Sequence, residues 1–141
     1  MLDHPETVRG KTVEDLATGS GVAAIAAALA GAATVSATDV DPEAVAAAHR
    51  NAAANHVTLS DRGPDPEVIL AGDVFYSPTV ADQMAKRLRH YRQKQKLVLV
   101  GDPGRGYFPE RLFESVAEYT VPVPVALEEA ESLATTVWRM R

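Results

Sequence analysis

A glycine turn between a short strand and a helix constrains the fold of this chain more than any other feature. The β-branched and apolar run Thr12–Leu16 predicts a strand, and Gly19-Ser20-Gly21 follows it closely. Glycines here permit a tight turn and let a ligand approach the backbone. A second predicted strand, Thr34–Thr38, is followed directly by Asp39. In a doubly wound sheet such an acid lies beside the first turn, where a ribose binds, so the pattern predicts a pocket for an adenosine-type cofactor.

Strands and helices alternate along the rest of the chain. We predict helices over Ser20–Ala30, Asp41–Ala54, Pro78–Gln93 and Pro109–Val116, and further strands over His56–Leu59, Glu67–Ala71, Lys96–Val100, Glu118–Leu127 and Leu133–Met140. Ser20 and Asp41 are the expected N-caps, and Gly31 is the expected stop of the first helix. This order predicts an α/β fold with a doubly wound, Rossmann-like, mostly parallel sheet and a C-terminal antiparallel hairpin around the acidic turn 128–131. We expect residues 1–141 to form a single domain.

Composition excludes several classes of function. The 141 residues contain no cysteine, which removes disulfides, thiolate nucleophiles and cysteine metal sites, and the four histidines lack metal-ligand spacing, so we predict no metal. A net charge of −5 argues against non-specific binding to nucleic acid. The basic run Lys86–Lys96 is therefore interpreted as a solvated helix face, with a nucleic-acid stripe as the alternative. Because no signal peptide or membrane-spanning segment is visible, we expect a cytoplasmic protein with no membrane partner.

Asp15 helps to choose between two classes of cofactor. The run from Gly19 to Ala24 also fits the G-x-G-x-x-A fingerprint of nicotinamide dinucleotides. A carboxylate just ahead of the glycines would repel a pyrophosphate, but it suits the ammonium and sulfonium groups of S-adenosylmethionine. No Tyr-x-x-x-Lys motif follows to support hydride transfer. These features favour S-adenosylmethionine, and the alternative that Asp15 and Asp39 merely cap turns stays open.

Further motifs resemble those of a known family. The run from Asp15 to Gly21, together with Asp39-Val40-Asp41-Pro42, resembles class I S-adenosylmethionine-dependent methyltransferases. Gly72-Asp73-Val74-Phe75-Tyr76 resembles the (Asp/Glu)-x-x-(Tyr/Phe) motif of the seven-strand protein lysine methyltransferases. Gly101-Asp102-Pro103-Gly104-Arg105 and the ending Thr135-Thr136-Val137-Trp138 are similar to one branch, the lysine methyltransferases of the electron-transfer flavoprotein β subunit and their bacterial, ribosomal protein L11 methyltransferase-like relatives.

The resemblance implies a role for each motif. The implied cofactor ligands are Asp15, Gly19 and Gly21 around the methionine part of S-adenosylmethionine, and Asp39 at the ribose hydroxyls. The implied catalytic residues are Asp73 and Tyr76, which would face the target lysine. The implied partner is a protein substrate, either the electron-transfer flavoprotein β subunit or a ribosomal protein, and no oligomeric state is implied.

The chain departs from the family pattern in three places. Glu14 stands inside the first predicted strand, where an acid is costly unless it is paired. The segment from His56 to Glu67 is short for one that supplies the adenine contact, and Asp61 is the residue it offers. Only a short stretch precedes Thr12, where family members carry an N-terminal segment that helps to close the site, so we expect an N-terminally short core.

Several alternatives follow from these departures and from local sequence. Asp73 could instead cap the turn before Pro78, with Phe75 and Tyr76 in the core. Arg105 could bind an acidic substrate surface or anchor its glycine loop through Asp102. The function could be lysine methylation, methylation of a nucleic acid or small molecule, or that of a truncated, non-catalytic domain.

Overall fold

A computed structural model describes residues 1–122 and 132–141, in which six strands form one sheet. The strands are β1 (Thr12–Leu16), β2 (Thr34–Thr38), β3 (Val68–Gly72), β4 (Leu97–Asp102), β5 (Phe113–Pro122) and β6 (Ser132–Met140). The α-helices are α1 (Val22–Leu29), α2 (Pro42–Ala54) and α3 (Pro78–Gln93), and single 3₁₀ turns occupy Pro5–Thr7 and Glu110–Leu112. No helix within this part of the chain is both long and apolar enough to cross a bilayer.

The strand order is β2-β1-β3-β4-β6-β5, with parallel pairing from β2 to β4 and antiparallel pairing of β6 with both neighbours. This confirms the predicted doubly wound sheet with an antiparallel C-terminal hairpin. The turn predicted at 128–131 lies outside the described residues. The order changes direction at β1, whose neighbours are β2 and β3, and ligand sites of open α/β sheets lie at such a point.

Alternating strand residues supply the two layers of the core. One face of the sheet packs Val13, Val35, Val68 and Leu70 against α1 and α2. The opposite face packs Leu16, Ile69, Val98 and Val100 against α3 and the aromatic residues of the C-terminal half. Because both faces are covered, the parallel strands are rich in apolar residues, as is usual for such sheets.

Two of the predicted elements are wrong. The segment His56–Leu59 is not a strand; its neighbour Ser60 makes an isolated bridge to Ser36 of β2, and His56 has a left-handed φ of 58°. The predicted helix Pro109–Val116 is a 3₁₀ turn followed by β5, which starts at Phe113. β5 pairs with β6 from Phe113 to Pro122, with a register shift between Ser115 and Ala117, and this distant partner outweighs local helix propensity.

Glu14 has hydrogen-bond and ion-pair partners, which offset the free-energy cost of burying an acid in the first strand. Its side chain is 13% exposed and lies on the α3 face of the sheet. The hydroxyl of Tyr91, on α3, donates to Oε2 at 3.0 Å, and the hydroxyl of Thr38 donates to Oε1 at 3.4 Å. The guanidinium of Arg87 lies 3.9 Å from Oε1. Burial, followed by the neighbouring Glu14 carboxylate, raises the pKa of Tyr91, so this phenol keeps its proton and remains a donor.

The helix starts confirm one expected N-cap and correct the other. Asp41 caps α2 by accepting a hydrogen bond from the backbone N–H of Glu43 at 2.9 Å. Ser20 does not cap α1, because Gly21 occupies that position with a φ of 89° and without a side-chain bond. Gly31 follows the last turn of α1 with a φ of 97°, as expected for a helix stop.

Gly21 lies against α2 as well as at the start of α1. A Cβ atom added at Gly21 would lie 2.8 Å from Cβ of Ala48 and 3.0 Å from its Cα. Real Cβ atoms do not approach other carbons so closely, so the helices would have to separate. Gly104 has nearly the same φ, 87°, but a Cβ there would meet nothing within 4 Å.

This difference predicts unequal effects of two alanine substitutions. Gly21→Ala adds a packing clash to an unfavourable backbone conformation, and we expect it to lower the free energy of unfolding by about 2–4 kcal/mol. Gly104→Ala, the matched control, carries the conformational cost alone, about 1–2 kcal/mol. Urea denaturation measures both. Equal losses in the two variants would show that contact with Ala48 does not matter.

Candidate active site

The predicted site residues meet where the parallel strands β1 to β4 end. Asp15 is the penultimate residue of β1, Asp39 follows β2, Asp73 follows β3, and Asp102 ends β4. Carboxyl ends of parallel strands face the same edge of a sheet, and α/β enzymes bind their ligands there. In residues 1–122 and 132–141, no group of three or more His, Asp or Glu side chains could hold a metal ion.

Asp15 is buried, and its carboxylate organises the glycine turn. Its exposed fraction is 2%, and Oδ2 accepts the hydroxyl of Thr18 at 2.7 Å and the backbone N–H of Ala24 at 3.2 Å. Burial raises the pKa of this carboxyl to about 6, against the hydrogen bonds from Thr18 and Ala24, which lower it. Asp15 therefore accepts hydrogen bonds from the turn, as the interpretation of Asp15 as a turn cap predicted. Direct contact with a ligand stays a prediction.

Asp39 bridges two turns and lies beside Gly19, as the sequence predicted. Its Oδ2 accepts the backbone N–H of Gly19 at 3.0 Å, and its Oδ1 accepts that of Asp41 at 3.0 Å. Each carboxylate oxygen has a second lone pair, so Asp39 can still accept hydroxyl groups from a ligand. A Cβ added at Gly19 would meet nothing within 4 Å, so the turn borders open space.

Asp61, the residue considered for the adenine contact, lies in an exposed loop beside α2. Its Oδ1 is 2.6 Å from Nε2 of His49. No described contact tests the adenine role of Asp61, which stays a prediction.

The second half of the site is formed by the turn between β3 and α3. Asp73 adopts a left-handed φ of 50°, and its backbone N–H donates to the carbonyl of Gly101 at 2.8 Å. Phe75 is fully buried, whereas Tyr76 is 58% exposed. Ser77 caps α3 through the backbone N–H of Val80 at 3.3 Å, which excludes the interpretation of Asp73 as that helix cap. The same alternative placed Phe75 and Tyr76 in the core, which is confirmed for Phe75 and wrong for Tyr76.

Arg105 forms a two-point contact with Asp73. Its Nε donates to Oδ1 at 3.2 Å, and a terminal nitrogen donates to Oδ2 at 3.0 Å. Sequence reasoning left two interpretations open, in which Arg105 binds an acidic substrate surface or anchors its glycine loop through Asp102. In the structure, Oδ2 of Asp102 accepts the backbone N–H of Gly104 at 2.9 Å. The signal that could have revealed the contact is the neighbouring position of β3 and β4, which brings the acids at their ends together.

Asp102 is a second buried acid at this edge. Its exposed fraction is 5%, and its Oδ1 has no hydrogen-bond partner among the described residues. Burial raises the pKa of Asp102, the bond from Gly104 opposes this, and the nearby Asp73 carboxylate adds to it. A cavity of about 450 Å³ borders Asp102, Phe108 and Trp138. The ring centroids of Phe108 and Trp138 lie 4.9 Å apart. No local sequence signal points to Phe108.

Comparisons with known proteins identify the class. The ribosomal protein L11 methylase of Lactobacillus delbrueckii subsp. bulgaricus superposes with a TM-score of 0.63 at 23% identity, covering 99% of this chain and 76% of that one. A magnesium protoporphyrin IX methyltransferase from Synechocystis PCC 6803, solved with bound SAM, gives 0.66 at 16% identity, covering 99% and 74%. The fold is that of the class I methyltransferases.

The family follows from sequence. The model of the ribosomal protein L11 methyltransferase (PrmA) family matches residues 2–85, so the chain belongs to this family. An electron transfer flavoprotein beta subunit lysine methyltransferase from Rattus norvegicus is 35% identical over 152 residues, which cover 98% of this chain. The match spans 60% of the length of the rat protein.

The raised pKa of Asp15 predicts a pH-dependent stability. With a pKa of about 6 when folded and 3.8 as the reference, the native state binds more protons than the unfolded state between these values. Stability from this group is therefore present below pH 4 and is lost as the pH rises through 6. We expect Asp15→Asn, which cannot ionise, to gain roughly 2–3 kcal/mol relative to wild type between pH 4 and 7.

Urea denaturation at a series of pH values measures this difference. Thr18→Val serves as the companion variant, because it removes a hydrogen bond that lowers the pKa of Asp15. Removing this bond should raise the pKa of Asp15 further, so the free energy of unfolding of Thr18→Val should go on falling to a higher pH than that of wild type. A constant difference between Asp15→Asn and wild type would contradict the burial argument.

Proposed function

We propose that this protein is an S-adenosylmethionine-dependent methyltransferase that acts on a lysine side chain of a protein. The observation that carries the proposal is the meeting, at one sheet edge, of the Asp39–Gly19 contact with Asp73 and the exposed Tyr76. Membership of the ribosomal protein L11 methyltransferase family supports it, as does similarity to a lysine methyltransferase. A bound SAM in a protein of the same fold supports the cofactor.

The residues present fit this cofactor. Gly19 leaves open space where a side chain would otherwise stand, so a ligand could lie against its backbone. Asp39 has lone pairs for the ribose hydroxyls. Asp15 and Asp39 together give the turn a negative character, which suits a ligand carrying ammonium and sulfonium groups. When bound, S-adenosylmethionine would supply an activated methyl group.

Asp73 and Tyr76 would act on the acceptor amine. The carboxylate oxygens of Asp73 can hold a lysine ammonium and assist the loss of its proton, because only the neutral amine is a nucleophile. The exposed ring of Tyr76 can line the lysine channel and attract its cation. Holding the reactants in line can contribute several kcal/mol, with roughly 7–11 kcal/mol as the upper range.

Two protein substrates are the first to test. The rat relative is named for the electron transfer flavoprotein beta subunit, and the family is named for ribosomal protein L11. Both names indicate a protein acceptor, and we propose these two proteins as candidate partners of this chain.

Calorimetric titration with S-adenosylmethionine tests the cofactor assignment. We expect saturable binding to wild type and roughly 10- to 100-fold weaker binding to Asp39→Ala, because a hydrogen bond to a charged group is lost. Asp41→Ala is the matched control: it removes the cap of α2, costs about 1 kcal/mol of stability, and should keep the affinity. Absence of binding to wild type would favour a non-catalytic domain. Equal losses in both variants would contradict the role of Asp39.

Transfer of a labelled methyl group to the two candidate proteins tests the reaction. Asp73→Asn should lower kcat roughly 10²- to 10⁴-fold, the usual contribution of a positioned acid or base, with cofactor affinity nearly unchanged. Asp65→Asn is the control, because Asp65 is an exposed acid paired with Lys96 at the opposite end of the strands. It should keep wild-type activity. A label on a residue other than lysine, or full activity of Asp73→Asn, would refute this assignment.

A further inference from the structure

Arg105 engages both oxygens of the carboxylate expected to meet the substrate. Nε donates to Oδ1 of Asp73 at 3.2 Å, and a terminal nitrogen donates to Oδ2 at 3.0 Å. Two parallel bonds of this kind fix the plane of the carboxylate as well as its position. The four lone-pair sites of a carboxylate leave room for one further donor, so a lysine amine can join without displacing Arg105.

The contact is built by two turns that are themselves fixed. Asp73 is held at a left-handed φ of 50° by its backbone bond to Gly101 of β4. Arg105 stands between Gly104 and Gly106, which have φ values of 87° and 93°, conformations that favour glycine. The Gly104 N–H is bound in turn by the buried Asp102. The backbone therefore directs Arg105 towards Asp73.

A contribution to stability does not explain this arrangement. The side chains of Arg105 and Asp73 are 36% and 46% exposed. An ion pair so exposed adds little to the free energy of unfolding, because water and salt screen it. Its electrostatic effect on a third group brought against Asp73 is larger, because that group lies within a few ångströms of both charges.

The third group is the amine of the acceptor lysine, on the basis of the proposed function. A carboxylate with no cation beside it would stabilise the lysine in its charged form, which cannot attack a methyl group. A guanidinium beside the carboxylate offsets this effect. We propose that Arg105 is a positioning residue that orients Asp73 and weakens its hold on the proton of the substrate lysine.

Among the residues that the structure describes, the charged groups next to this pair include two further acids. Asp102, at the end of β4, is the neighbouring acid, and Glu110 lies beyond it in the 3₁₀ turn. Two acids at one edge would increase the hold on a bound ammonium, so the positive charge of Arg105 is what offsets them.

The pH dependence of kcat tests this role. It is measured between pH 6.5 and 10 with whichever of the two candidate proteins accepts a methyl group from the wild-type protein. In Arg105→Gln the bound lysine should keep its proton to higher pH, and we expect the rising limb to move by roughly 0.5–1 pH unit towards alkali. At pH 7, kcat should fall roughly 3- to 10-fold, because one pH unit on the limb is a factor of ten. KM should stay the same or fall, because the charged lysine is held more tightly.

Two further variants separate charge from structure. Arg105→Lys keeps the positive charge but loses the two-point contact, so its limb should lie near that of wild type while kcat falls. Arg139→Gln removes a similar exposed pair, with Glu114 at 2.6 Å on the β5–β6 hairpin, and should leave the profile unchanged. Together these variants remain informative even if Arg105→Gln is poorly folded.

The outcomes distinguish this inference from the function on which it rests. A loss of kcat that is equal at every pH, or a shift in Arg105→Lys equal to that in Arg105→Gln, would overturn the role of Arg105 and leave the methyltransferase assignment standing. A shift in Arg139→Gln as large as that in Arg105→Gln would also overturn it. Wild-type protein that binds S-adenosylmethionine but methylates no lysine would overturn the proposed substrate class, and the inference with it.

Discussion

Asp15 reaches from the end of β1 to the first turn of α1, and its buried carboxylate determines where the glycine turn lies. The bonds from Thr18 and Ala24 join the two ends of the turn to one side chain. Asp39 then ties the middle of the turn, at Gly19, to the end of β2. These side-chain bonds add to the backbone bond from Thr18 to Thr38 of β2 at 2.9 Å, which also ties the turn to the sheet. The position of the glycine turn therefore depends in part on a carboxylate that water hardly reaches.

The acids at the sheet edge are stabilised in two ways. Asp15, Asp39 and Asp102 each accept at least one backbone N–H, a donor whose position the fold fixes. Asp73 is paired with a side chain, that of Arg105. Backbone donors hold an acid in one state, whereas a side-chain partner can adjust when another group arrives. This division separates the part of the site that shapes the turn from the part expected to meet a changing substrate.

Sequence reasoning succeeded where the signal is local. The start of α2 could be predicted because Asp41 and Pro42 favour a helix start by their own chemistry, and the neighbouring positions of Gly19 and Asp39 follow from the strand–helix–strand rule. It failed where a distant partner decides. Phe113 and Val116 have a spacing that fits a helix, yet β6 provides the pairing that makes this segment a strand. The contact of Arg105 with Asp73 depends on the pairing of β3 with β4, strands that lie far apart in the sequence.

The close approach of Gly21 to Ala48 has a consequence for how sequences of this family can diverge. The two positions share one small volume between α1 and α2, so neither can accept a larger residue while the other stays as it is. Ala48 lies in the helix that Asp41 caps, and this helix follows Asp39, the acid beside the glycine turn. In related chains these two positions should therefore vary as a pair, and an exchange at one should appear with a compensating exchange, or a displaced second helix, at the other.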